Sequence, residues 1–210
     1  SDVVLPEWAI VNQPRSKLKE KRTLNLIFVG TLAQLYKAPD ILISAVDKCE
    51  EKGLDIKLTI VGDGQYRKEL EAQAARLIDK DRVCFLGQLP SGDAVRTELD
   101  RADLFILPSH QEGLPRAMVE AMARGLPCIG STVGGIPELL SSEDMVLPND
   151  AIGLASKICE IVTDPERMNQ MSIRNLETAK GYTDEKLHGL RNGFYRYVRE
   201  QTELFLKQKN

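Results

Sequence analysis

From Leu24 onward, short aliphatic, β-branched and aromatic runs alternate with longer segments whose apolar positions recur every three or four residues. That alternation is how parallel strands joined by crossover helices read. The strand-sized runs are Leu24–Val29, Lys57–Val61, Val83–Phe85, Leu104–Leu107, Cys128–Ser131 and a short one at Met145–Leu147. Helical periodicity covers Pro39–Glu51, Gln65–Ile78, Gly92–Arg101, Pro115–Arg124, Ile136–Leu140, Ile152–Thr163, Pro165–Lys180 and a long last segment from Asp184. Pro39, Pro115, Pro137 and Pro165 fit a first helical turn, where a missing N–H costs nothing, and Gly53 and Gly125 suit left-handed stops. The order predicts an α/β fold, a doubly wound parallel sheet of about six strands.

The pattern divides the chain into three stretches. Residues 1–23 read as a linker or interdomain segment, with Pro6, Trp8 and Pro14 followed by a basic cluster of Arg15, Lys17, Lys19, Lys21 and Arg22. Such a cluster suits either an anionic membrane surface or, the preferred reading, a solvated linker face. Residues 24–183 form the Rossmann-like body. Residues 184–210 are a terminal helix whose Leu187, Leu190, Phe194, Val198 and Phe205, with Tyr195 and Tyr197 beside them, make a broad apolar stripe.

With 210 residues, 42% hydrophobic and 28% charged, the chain holds one globular domain and has no room for a second full one. Ser1 stands where a start methionine would, without an apolar leader, so the chain reads as an excised piece in which Ser1 and Asp2 are extraneous. No apolar run approaches the roughly 20 residues of a membrane helix, so a soluble, cytoplasmic domain is expected. A net charge of -3 gives no general reason to bind nucleic acid, and any anion site must be local. Cys49, Cys84, Cys128 and Cys159 are scattered and form no C-x-x-C pair, so free thiols, with Cys84 and Cys128 inside apolar runs, are expected rather than a zinc or redox site.

Ligands of an open parallel sheet bind beyond the carboxyl ends of its strands. The segments there are Gly30–Lys37, Gly62-Asp63-Gly64, Gly87–Pro90, Pro108–Pro115 and Ser131–Glu138, whose glycines suit close approach of a ligand. In the fourth segment Glu112 precedes the helix and Glu120 follows eight positions later, about 12 Å along a helix at 1.5 Å per residue. The N–H groups of Gly113 and Leu114, with the helix dipole, favour a diphosphate. The two carboxylates then suit sugar and ribose hydroxyls, or else Glu112 merely complements the dipole and Glu120 is solvated. Gly134 and Gly135 either admit a ligand or shape a turn. Asp63, between two glycines, is better explained by turn chemistry than by a metal. His110 is a polar loop residue or faces the cleft, and His188 reads as a surface residue.

The run Pro108-Ser109…Glu112-Gly113-Leu114-Pro115…Glu120-Ala121-Met122-Ala123…Gly125-Leu126-Pro127 resembles the nucleotide-sugar-binding domain of the retaining GT-B glycosyltransferases of family four, or group one. Ser131…Gly134-Gly135-Ile136-Pro137-Glu138, Phe28-Val29-Gly30…Lys37, Val61-Gly62-Asp63-Gly64 and Asp81-Arg82-Val83…Phe85-Leu86-Gly87…Pro90 extend the likeness over most of residues 24–140. The resemblance implies the Rossmann-like half of a GT-B fold, a nucleoside diphosphate sugar as donor, no metal or other cofactor, and a separate N-terminal acceptor-binding domain. It implies catalytic roles for Glu112 and Lys37, with Glu112 on the donor sugar and Lys37 on the leaving phosphate. Glu120 would take the ribose, Gly113 and Leu114 the diphosphate, and Gly30, Thr31, Gly62, Gly87, Gln88 and Leu89 would complete the donor site, the last three where the base rests.

Two positions depart from the family pattern: Thr31 stands where Arg or Ser is usual and Ala38 where Gly is usual, which puts phosphate contacts there in question. A dehydrogenase-type dinucleotide domain is disfavoured, because Gly30-Thr31-Leu32-Ala33-Gln34-Leu35 is not G-x-G-x-x-G. A degenerate interaction module is the third reading, against which Lys37, Glu112 and Glu120 argue. The remaining expectations are an isolated chain incomplete for catalysis, peripheral membrane contact of the longer protein, and a terminal helix that packs on the absent domain or self-associates.

Overall fold

The computed structural model describes residues 3–15, 23–77 and 82–208, with Lys207 and Gln208 described by backbone alone. Its strands are β1 (Leu24–Val29), β2 (Ile56–Val61), β3 (Val83–Gly87), β4 (Leu104–Leu107), β5 (Cys128–Ser131) and β6 (Met145–Val146). The helices are α1 (Pro39–Glu51), α2 (Arg67–Ala74), α3 (Asp93–Arg101), α4 (Arg116–Ala123), α5 (Ala151–Val162), α6 (Pro165–Lys180) and α7 (Asp184–Gln208). All strand pairs are parallel, in the order β3-β2-β1-β4-β5-β6. Leu26, Ile27 and Phe28 of β1 and all of β4 and β5 are buried, because helices cover both faces of the central strands. The order reverses between β1 and β4, and the crevice above that junction is where such a sheet binds ligands.

Element boundaries shift where local chemistry overrides periodicity. The Arg67 amide bonds the Gly64 carbonyl at 3.1 Å, so a turn delays α2 past Gln65; its expected end at Ile78 lies outside the described residues. Pro115 caps α4 in extended conformation rather than entering it, with φ −77° and ψ 105°. The segment Ile136–Leu140 makes only a 3-10 turn, Ile136–Glu138. Gly53 and Gly125 do take the left-handed conformation, at φ 81° and 66°.

The amino-terminal segment is not a free linker where it is described. Val3, Leu5 and Ala9 are buried, the Leu5 amide bonds the Tyr182 carbonyl at 2.8 Å, and that of Val11 bonds the Ala123 carbonyl at 2.9 Å. Arg15, expected on a solvated face, instead donates to the carbonyls of Leu99, Ala102 and Arg124 at the ends of α3 and α4, where helix dipoles gather negative charge. Burial lowers its pKa, opposed by Asp100 and Asp103. Lys17, Lys19, Lys21 and Arg22 lie outside the described residues, as does Asp81 of the family-like motif.

Packing of α1 on α5 places the Cys49 and Cys159 sulfurs 3.8 Å apart, a meeting that their sequence separation hides. Burial, then Cys159, pushes the Cys49 thiol pKa up, so it is held as a neutral thiol. Cys128 is fully buried, whereas Cys84, on the outermost strand β3, is only half-buried. At the other terminus, every described side chain of α7 beyond Arg191 is exposed.

Candidate functional site

At the end of β1, Gly30 gives way to a loop that leads through a 3-10 turn, Leu35–Lys37, into α1. A Cβ on Gly30 would fall 2.6 Å from the Lys37 Cδ, so the glycine makes room for the lysine stem. Lys37 Nζ then reaches across the switch point to Glu112 Oε1, 2.5 Å away, and lies 5.3 Å from the centroid of the Tyr36 ring. Ala38 keeps the left-handed conformation, with φ 52° and ψ 46°, so its departure from glycine leaves the path of the chain intact and stores strain instead. Thr31 Oγ1 accepts the Ala33 amide at 3.1 Å and serves its own turn.

The loop after β4 supplies the other half. Ser109, fully buried, donates from Oγ to Glu112 Oε1 at 2.9 Å, and the His110 amide donates to the Tyr36 carbonyl at 2.7 Å, which ties this loop to that of Lys37. The Glu112 side chain is only 7% exposed. His110 Nδ1 is buried with no hydrogen-bond partner among the described residues. The amides of Gly113 and Leu114 donate to no described residue, and the first turn of α4 adds the unpaired N–H groups every helix start carries. A Cβ on Gly113 would meet nothing within 4 Å, so this glycine faces open space.

Most of the other glycines are filled by protein rather than ligand. A Cβ on Gly62 would lie 1.8 Å from the Gly30 carbonyl oxygen, and one on Gly134, at φ 55°, would lie 1.9 Å from that of Glu112. The Gly135 amide bonds the Gly113 carbonyl at 2.9 Å. Of the two readings left open for Gly134 and Gly135, the turn is the one the geometry supports. Its function is to brace the Glu112–Gly113 backbone. Asp63 likewise closes a turn: Oδ1 accepts the Gly64 amide at 2.8 Å and Oδ2 pairs with Arg67 at 3.0 Å. That amide first, then Arg67, lowers the Asp63 pKa.

Over β1, β2 and β3 lies a cleft of about 230 Å³ lined by Val29, Gly30, Thr31, Val61, Gly62, Asp63, Gln88, Leu89 and Val95. It gathers five of the predicted donor residues and meets the Lys37–Glu112 pair at Gly30. Gly87 stands behind it, its carbonyl accepting the Gly62 amide at 2.8 Å. Glu120, on α4, is neither bare nor fully solvated: its Oε1 pairs with Arg116 Nε at 2.9 Å, and its side chain is 23% exposed. Ser109 and Ser131 lie within the family-like motifs without a role legible there, and Arg116 and Tyr36 lie outside the predicted site. Only Arg116 had a readable signal, its i,i+4 spacing from Glu120.

A doubly wound sheet with a cation, a carboxylate and open helix-start amides at its switch point is a Rossmann-like domain, here with the fold of one half of a GT-B protein. The chain belongs to the glycosyl transferases group 1 family, whose sequence pattern matches residues 10–177. It is similar to N-acetyl-alpha-D-glucosaminyl L-malate synthase of Bacillus anthracis, with 31% identity over 166 residues, 77% of this chain and 42% of that protein. It is also similar to the putative colanic acid biosynthesis glycosyltransferase WcaL of Escherichia coli, with 32% identity over 154 residues, 69% of this chain and 37% of WcaL. The chain therefore spans less than half the length of these relatives. Among solved structures, Anabaena HepE in complex with UDP and glucose superposes with a TM-score of 0.73 at 23% identity, over 85% of this chain and 48% of that one. The C-terminal domain of the group 1 protein LpcC from Francisella tularensis gives a TM-score of 0.72 at 18% identity, over 86% of this chain and 99% of that one.

Proposed function

We propose that this chain is the donor-binding half of a glycosyltransferase that moves a sugar from a nucleoside diphosphate sugar to an acceptor with retention of anomeric configuration. The observation that carries the reading is the Lys37–Glu112 pair set beside the open amides of Gly113 and Leu114, because it puts a cation, N–H donors and a carboxylate around one crevice. A diphosphate accepts from those amides and from the dipole of α4, and Lys37 meets the charge that grows on it as the anomeric carbon–oxygen bond breaks. This arrangement meets the phosphate charge without a metal. Glu112 accepts hydroxyls of the sugar and Glu120 those of the ribose, while the base enters the cleft at Gln88 and Leu89. Neither carboxylate is placed as a nucleophile in this scheme; both orient the donor.

Uridine is the base to test first, since HepE, a neighbour in fold, was crystallised with UDP and with UDP-glucose. The acceptor belongs to the part of the longer protein that these residues do not include, so the chain alone binds donor and turns over little. Among the described residues no helix is long and apolar enough to cross a membrane. A cytoplasmic enzyme that touches the membrane only at its surface accords with that. Calorimetric titration with UDP-, GDP- and ADP-glucose, in EDTA, tests the reading: one base series binds and the chelator has no effect. Strict dependence on magnesium, or binding of none of the three, would count against it.

A further inference from the structure

We infer that Ser109 is a positioning residue that aims Glu112 at the donor sugar; this rests on the proposed function above. A carboxylate offers two oxygens, and each takes about two hydrogen bonds. On Glu112 both internal donors, Lys37 Nζ at 2.5 Å and Ser109 Oγ at 2.9 Å, converge on Oε1, and no described residue donates to Oε2. Oε1 is thus filled from within the protein and Oε2 is left to face a ligand. The two donors differ in permanence. Lys37 keeps part of its side chain exposed, 16%, and in the proposed reaction its ammonium is drawn toward the departing diphosphate. Ser109 is fully buried, and its own carbonyl accepts the hydroxyl of Ser131, also fully buried, which joins the ends of β4 and β5. The main chain of Glu112 is held separately, by Gly134 against its carbonyl and by Gly135 on the carbonyl of Gly113. When Lys37 shares its N–H groups with phosphate, Ser109 is the donor that still fixes Oε1, and with it the direction of Oε2.

The readout is the preference for a nucleotide sugar over the bare nucleotide, which a general loss of packing does not change. Calorimetry compares UDP, UDP-glucose and UDP-N-acetylglucosamine on the wild-type chain, Glu112→Ala, Ser109→Ala and Ser109→Cys. The cysteine keeps nearly the serine volume and replaces a strong donor with a weak one, so it carries the test should the alanine variant not fold. Wild type prefers one UDP-sugar to UDP, and Glu112→Ala abolishes the preference. Ser109→Ala lowers it about tenfold, with the affinity for UDP itself unchanged, and Ser109→Cys lowers it by less. A preference kept intact in both serine variants while Glu112→Ala loses it overturns the role of Ser109. Equal loss of UDP and UDP-sugar affinity in the serine variants overturns it as well, by making the residue merely structural. A preference untouched by Glu112→Ala, or absent from wild type, instead overturns the assignment of Glu112 to the sugar and takes this inference with it.

Discussion

Ala38 sits buried in the left-handed region at φ 52°, directly after the lysine that reaches Glu112. A non-glycine residue there costs roughly 1–2 kcal/mol, of which a glycine returns part after its own greater unfolded-state freedom is counted. Ala38→Gly should therefore stabilise the chain by about 1 kcal/mol, a rise of roughly 2–4 °C in melting temperature for a domain of this size. An unchanged or lower melting temperature would show that the position is not strained. Glu120→Ala removes the proposed ribose acceptor and should weaken UDP and UMP alike, by roughly 1.5–3 kcal/mol for a charge-assisted hydrogen bond. Loss confined to UDP would move Glu120 to the phosphates. Lys37, Glu112 and Glu120 were singled out through the motifs that carry the family resemblance, and the structure brings Lys37 and Glu112 together. The contacts that aim them were not legible in the sequence: Ser109 reaches Glu112 through the fold of the loop between them, and Ser131 meets Ser109 only once β4 and β5 are in register.

At the scale of elements, the central strands were legible residue by residue because burial on both faces makes them continuous apolar runs; β1, β4 and β5 have the predicted bounds. Ends governed by turns were less so: α2 begins after Gly64-Gln65-Tyr66, and the expected helix at Ile136 is a single 3-10 turn. The loops make a paired prediction. Gly134→Ala forces a Cβ to within 1.9 Å of the Glu112 carbonyl at a positive φ, so it should destabilise the fold by about 1–3 kcal/mol and weaken the donor site together. Gly113→Ala meets no protein atom, so melting should hardly change while UDP affinity falls, because the methyl group enters the ligand's space. Melting and titration of both variants check this; a stable Gly134→Ala with wild-type binding would contradict the bracing role of that loop.

For the whole molecule, the sequence showed a terminal helix with an apolar stripe but not where the stripe goes. The structure leaves Leu190, Phe194, Val198 and Phe205 exposed on a helix about 37 Å long, and no isolated helix is well stabilised without a packed face. The matched region covers less than half of each relative, which accords with a covering surface in the remainder of the protein or in a second copy. In dilute solution, amides of α7 beyond Leu190 should exchange hydrogen fast, and slower at high concentration if copies associate; uniformly strong protection through Val198 in the dilute chain would show the helix satisfied alone. At the opposite terminus the expected solvated face does not hold for Arg15, the one described residue of the basic cluster, because it finds two helix ends rich in carbonyls. The roles proposed for the crevice all require that it be built for a diphosphate. The most direct test is the affinity of this chain for UDP against UMP in the presence of EDTA, for wild type and Lys37→Ala. The account predicts tighter binding of UDP, a gap that shrinks when Lys37 is removed, and no effect of the chelator; equal affinity for the two nucleotides in wild type would contradict it.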